Sequence, residues 1–187
     1  MISSDSVFNT AIFQALCACL ELSASSAVAS ALIRPFPNAP ENPPSPSRST
    51  NVIYYDVRPE SAPDAGYQTF TSEDPTASSA KPTVSSFLPY RLTIICYGPD
   101  CERNAHAVRS FLFLDGSGYP RCILRKAGIY PIPRPPMPIL LDEEDGNLLR
   151  RRADLVISLR VTDTLVRTGR RYGITEKPAV TITAGFP

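Results

Sequence analysis

Three side chains able to hold a transition metal, Cys96, Cys101 and His106, lie close together in the chain, and zinc takes Cys and His ligands where several of them converge. A helix opening at Asp100 would carry Cys101 and His106 five positions apart, which at about 100° per residue turns them about 140° from one another. They cannot easily share an ion. By the same geometry Cys17 and Cys19 diverge by about 200° on an N-terminal helix. The five cysteines therefore read mostly as small, buried, apolar side chains, with Cys101 and Cys122, near loop boundaries, as the two placed to cross-link neighbouring subunits. His106, the one histidine, reads as a helix-surface residue. No serine sits in Gly-x-Ser-x-Gly, and the nine glycines are isolated turn residues that form no phosphate loop. Asp142-Glu143-Glu144-Asp145-Gly146 is too compressed for calcium, whose loop spaces its ligands over about twelve residues. Without a convergent set of titratable groups, the expectation is a non-enzyme with no catalytic residues, no metal site and no cofactor.

The remaining chemistry is electrostatic. The acidic run Asp142, Glu143, Glu144, Asp145 is followed within a few residues by Arg150, Arg151, Arg152. These seven are the candidate subunit or partner contacts, weighed against a plain solvated turn leading into a strand. The two clusters are expected near opposite ends of one loop, unable to neutralise one another fully within it. Nineteen Lys plus Arg against eighteen Asp plus Glu leave a net charge of +1, so bulk charge does not draw the chain to nucleic acid or an acidic membrane. An odd cysteine count without framework spacing suits a reduced cytosol. The apolar stretch from Val7 to Ile33 lacks any Lys or Arg before Arg34 and is broken by Gln14 and Glu21, so neither a targeting segment nor a membrane span is read there.

The elements that position these charges follow from periodicity. Phe8, Ile12, Ala15, Leu16 and Cys19 share one face of a helix over Ser4 to Ser23, with Ser4 as its cap, and the Ser- and Ala-rich continuation to Leu32 fits either helix or frayed end. Arg34 to Thr50 holds six prolines and reads as an extended linker of polyproline character. Asn51 to Val57 is β-branched and aromatic, a strand. The stretch to Thr83 reads as a long loop or loose hairpin. Val84 to Tyr97 forms a strand burying Leu92, Ile94 and Cys96, stopped by Gly98-Pro99-Asp100. Asp100 then caps a second helix to about Leu114, with Ala105, Val108, Phe111 and Leu112 inward. Arg121 to Ile132 is expected to be a bent or bulged strand. Ala153 to Val161 alternates strictly, with Ala153, Leu155, Ile157, Leu159 and Val161 on one apolar face.

The fold class expected is α+β: a small antiparallel sheet of about four strands packed with two helices, plus extended Pro-rich arms. The organisation is residues 1–33 as a helical region, 34–50 as linker, 51–168 as the α+β domain and 169–187 as a C-terminal arm. Twenty prolines are about twice the usual share of roughly 5%. Ordering such arms costs about 1–2 kcal/mol of backbone entropy per residue, and a ring of identical subunits supplies surfaces to offset it. A competing reading is an adaptor whose Pro43-Pro44-Ser45-Pro46 docks in an aromatic groove.

In this order the chain resembles the phage neck or tail terminator proteins, also called tail completion proteins. The likeness is carried by Phe13-Gln14-Ala15-Leu16 in the opening helix, Val52-Ile53-Tyr54-Tyr55, and the Tyr97-Gly98-Pro99-Asp100 entry into a helix whose body is Ala107 to Leu114. Gly128-Ile129 and Arg151-Arg152-Ala153-Asp154-Leu155 complete it. The resemblance implies a virion protein, assembled in the host cytoplasm, that forms a homohexameric ring on the last tail-tube ring and meets the head-tail connector or another neck protein. The tail sheath is a further candidate neighbour, genomic DNA would pass through the lumen without specific binding, and no membrane is involved. The nearest alternative is another neck protein, a head-completion or adaptor subunit. The Pro-rich segment from Arg34 to Thr50 and the five cysteines depart from the family picture.

Overall fold

The computed structural model describes residues 5–36, 49–60, 68–71, 83–145 and 148–166. The helix cap at Ser4, most of the Pro-rich linker and the C-terminal arm lie outside the described residues. The elements run α1 (Asp5–Cys19), α2 (Ala27–Leu32), β1 (Ile33–Pro35), β2 (Val52–Pro59), β3 (Gln68–Thr71), β4 (Thr83–Tyr97), α3 (Cys101–Arg109), a π-helical turn (Ser110–Leu114), α4 (Tyr119–Lys126), β5 (Ile129–Pro131), β6 (Ile139–Asp145) and β7 (Leu148–Val166). This is an α+β fold.

Two long strands form its axis. β4 and β7 pair antiparallel from Thr83↔Val166 to Tyr97↔Arg152. The seven-stranded sheet has the order β1-β2-β4-β7-β5, with β3 beside β4 and β6 beside β7. β1 is parallel to β2, and the other pairs are antiparallel. The sheet therefore exceeds the four strands expected, because β1, β5 and β6 are short edge elements next to prolines. Edges tolerate proline, since a missing N–H there breaks no ladder.

The alternation read from β7 holds: Ala153, Leu155, Ile157, Leu159 and Val161 are all buried. With Leu92, Ile94 and Cys96 of β4 and Ile53 and Tyr55 of β2 they make one apolar face, on which Ile12 and Leu16 of α1, Ala105 and Val108 of α3 and Leu124 of α4 pack. Each large side chain buried there contributes about 1.5–3 kcal/mol. α1 ends at Leu22 N–H bonded to the Cys17 carbonyl at 2.9 Å, with Glu21 left-handed at φ 55°, the usual closure in which glycine would stand.

Three expectations are corrected. Arg121 to Ile132 is mainly a helix: α4 starts with Pro120 in its first turn and closes at Gly128, φ 73°, and its inward residues Pro120, Ile123, Leu124 and Ala127 follow helical spacing. The second helix keeps α geometry only to Arg109; the Asp115 N–H then reaches the Ser110 carbonyl at 2.9 Å, and the widened turn lets Phe111 and Phe113 both pack against the core. Asp100 makes no side-chain cap bond. Its carboxylate accepts from Asn51 Nδ2 at 2.8 Å while its N–H donates to Asn51 Oδ1 at 3.0 Å. That clasp ties the start of β2 to the β4–α3 turn. Gly98, at φ 105°, allows it: a Cβ there would lie 2.7 Å from the Thr50 carbonyl oxygen and 2.8 Å from Asn51 Cα.

Candidate functional site

The cysteines sort by burial. Cys17, Cys19, Cys96 and Cys101 are buried and Cys122 is exposed. Burial pushes the thiols of Cys19 and Cys96 up to about 12, so both stay protonated at neutral pH and are poor nucleophiles and ligands. Of the two cross-linking candidates, Cys101 is enclosed by core and Cys122 alone faces out. His106 is half-buried on α3. Among the described residues no three His, Cys, Asp or Glu side chains gather as a metal site.

The two charge clusters are brought together, and not as the opposite ends of a loop. The acidic run is itself the second half of β6, and it lies across a hairpin from the arginines: Asp142↔Arg151, Glu143↔Arg150, Glu144↔Leu149, Asp145↔Leu148. Alternation then divides them between the two faces of the sheet. On the side that continues the helix-packed face, Arg151 Nε stands 3.6 Å from Asp142 Oδ1, with both side chains more than half exposed. Such a pair is worth about 0–1 kcal/mol. Glu144, on the same side, is exposed.

On the other, helix-free face, Arg152 is the centre of a tighter group. Its guanidinium reaches Glu143 Oε1 at 3.2 Å and Asp154 Oδ2 at 3.0 Å and lies 3.5 Å from the Tyr97 hydroxyl. Tyr97 donates to Glu143 Oε2 at 2.9 Å. Burial raises the Asp154 carboxyl above its ordinary value although Arg152 pulls the other way. Burial, followed by the Glu143 carboxylate accepting its proton, raises Tyr97. Arg152 Nε and Asp154 Oδ1 are buried without a hydrogen bond. Arg151 and Arg152 are therefore not interchangeable: the first is a solvated surface charge, the second part of a half-buried network whose disruption costs folding stability.

The sequence reading missed Tyr97 and Asp154 as members of this group, although period-two alternation already sets Arg152 and Asp154 on one face. The same face carries the aromatic run Phe36, Tyr54, Tyr97, with edge-on contacts at 5.9 and 6.1 Å between ring centres, and the Phe87–Tyr130 pair at 6.3 Å. Next to it, an open depression of about 620 Å³ lies between Phe36, Asp56, Arg58 and Ile95.

The apolar side chains of the hairpin region are the second feature missed. Met137, Ile139, Leu140, Leu141 and Leu149 are 64%, 55%, 48%, 39% and 63% exposed, a concentration of apolar surface that marks an interaction site. Strand β6 is half apolar and half acidic, with arginines beside it. It suits assembly with other proteins. The family model described as phage neck terminator protein matches residues 8–183. The chain belongs to the phage neck terminator protein family. No curated protein matches it.

Membership gives this terminator-family chain a structural role in the phage neck, which places it in the virion among the proteins of head and tail. The family is structural and not enzymatic. None of the helices described is long and apolar enough to cross a membrane.

Proposed function

We propose that the protein forms a closed ring, of six copies, that caps the tail tube and presents its opposite face to the head-proximal connector. The observation that carries this reading is the β6–β7 hairpin, which carries exposed apolar side chains and opposed charges on both of its faces. A monomer gains nothing from such a surface, whereas a ring buries it at every joint. Subunit contacts in such a ring bury about 800 Å² per partner. Exposed charges like Arg151 and Glu144 then set rotational register and partner choice more than affinity.

In this reading residues 34–50 and 169–187 lie against neighbouring subunits or adjoining neck and tail proteins, and acidic residues on the lumen side let DNA pass without sticking. The test is a mass measurement on purified protein, alone and on isolated tail tubes. A defined species near six times the 20.4 kDa subunit is expected. A monomer on the tube, or an open spiral, overturns the proposal.

A further inference from the structure

β6 is the longest strand edge left uncovered among the described residues: it pairs with β7 on one side and with nothing on the other. The other short edge strands, Ile33–Pro35, Gln68–Thr71 and Ile129–Pro131, offer three or four residues against its seven. An exposed edge with consecutive apolar residues is a template for another strand unless charge guards it. Here the guard covers only half of it. Ile139, Leu140 and Leu141 are open, and the acids Asp142 to Asp145 follow.

The chain's own C-terminal sequence matches the apolar half of β6. Arg170, Arg171 and Lys177 are followed by Pro178-Ala179-Val180-Thr181-Ile182-Thr183, in which β-branched residues recur and Val180 and Ile182 alternate with Thr181 and Thr183, as in a strand with one apolar face. We propose that this segment of a neighbouring copy adds as an antiparallel strand to the free edge of β6, so that each subunit completes the sheet of the next. The inference rests on the ring reading and names the contact that closes it. With Val180 opposite Leu141, antiparallel addition puts Ile182 opposite Ile139 and Lys177 opposite Glu144, with Glu176 opposite Asp145. Parallel addition would set the acids against Val180 and Ile182. Pro178 stands where a strand begins, a position that tolerates a missing N–H.

Reach decides that the donor is another copy. Leu149 lies opposite Glu144, and following β7 from Val166 back to Leu149 covers about 55 Å at roughly 3.3 Å per residue. The residues from Val166 to Lys177, fully extended, span at most about 40 Å. A subunit's own arm cannot bring Lys177 to its own Glu144 in this orientation. Two β6 edges pairing with each other would instead place Asp142 against Asp142 and close a dimer rather than a ring.

The test uses the full-length chain with Cys122→Ser, carrying Leu141→Cys with Val180→Cys, or Ile139→Cys with Ile182→Cys. Residues directly opposite in a sheet have Cα atoms about 4.5–5.5 Å apart, within the range a disulfide spans. Mild oxidation of the assembled protein is expected to give a ladder of covalent multimers on a non-reducing gel. The pair Leu141→Cys with Thr181→Cys, which faces opposite sides, is expected to give none. If the mass still reports a ring and neither designed pair cross-links, strand addition is overturned and the ring stands. A cross-linked monomer, or a covalent dimer from Leu141→Cys alone, overturns it as well. A monomeric mass overturns both readings.

Discussion

The two halves of β7 share a backbone, pair chiefly with β4 in the one and β6 in the other, and have opposite surroundings. From Ala153 to Val161 every second side chain is sealed under helices; from Leu149 to Arg151 the same strand stands out with β6 in solvent. The sealed half carries the stability of the subunit. The open half contributes little to folding and leaves apolar and charged side chains uncovered, so one strand fixes the position of the proposed contact surface relative to the core without an intervening loop.

A matched pair of substitutions breaks this comparison most sharply. Ile157 is 1% exposed and Ile139 55%. Ile157→Ala is expected to cost about 2–5 kcal/mol, the loss typical of a buried Ile cut to Ala, while Ile139→Ala stays within about 0.5 kcal/mol in urea unfolding yet impairs assembly. Equal losses would show that the β6–β7 hairpin is core as well.

Gly98→Ala tests the clasp that holds the β4–α3 turn beside β2. Its left-handed backbone and the nearby Thr50 carbonyl lead to an expected loss of about 1–3 kcal/mol, read as a lower melting temperature. An unchanged value would mean that the turn can relax away from Asn51.

Asp154 links the halves. Its carboxyl is raised above the ordinary 3.8 by burial against the pull of Arg152, so in the window between 3.8 and the raised value the folded state holds more proton than the unfolded one. Stability from this group therefore falls as pH rises through that window, and the cost is fully present at neutral pH. Compared with Asp154→Asn, the natural protein is expected to gain stability on acidification from neutral pH toward 4. A difference of the opposite slope would show that Arg152 dominates the site.

The smallest effect on folding belongs to Arg151. Arg151→Glu removes an exposed pair with Asp142 and is expected to change the melting temperature little, since such pairs contribute about 0–1 kcal/mol. It should nevertheless lower tail joining. Normal joining at physiological salt would leave this cluster a solvated surface only.

The sequence alone was sufficient for α1, the core half of β4, the α3 stripe and the sealed half of β7, because each is long enough for its period to show and each turns one apolar face inward. Helix α4 escaped it because eight residues give little more than two turns, and Ile123 and Ile129 suggest a strand when Pro120 and Gly128 are not taken together as helix start and stop. β1 and β6 escaped it because prolines beside them hide an edge strand. The acidic run looked like a turn, since nothing local shows that Arg150 to Arg152 lie across from it. Which charges meet, which of the two arginines is half-buried and which apolar residues remain uncovered were decided only by the tertiary structure. Those properties depend on register between strands and on the single face the helices cover, and a one-dimensional pattern carries neither.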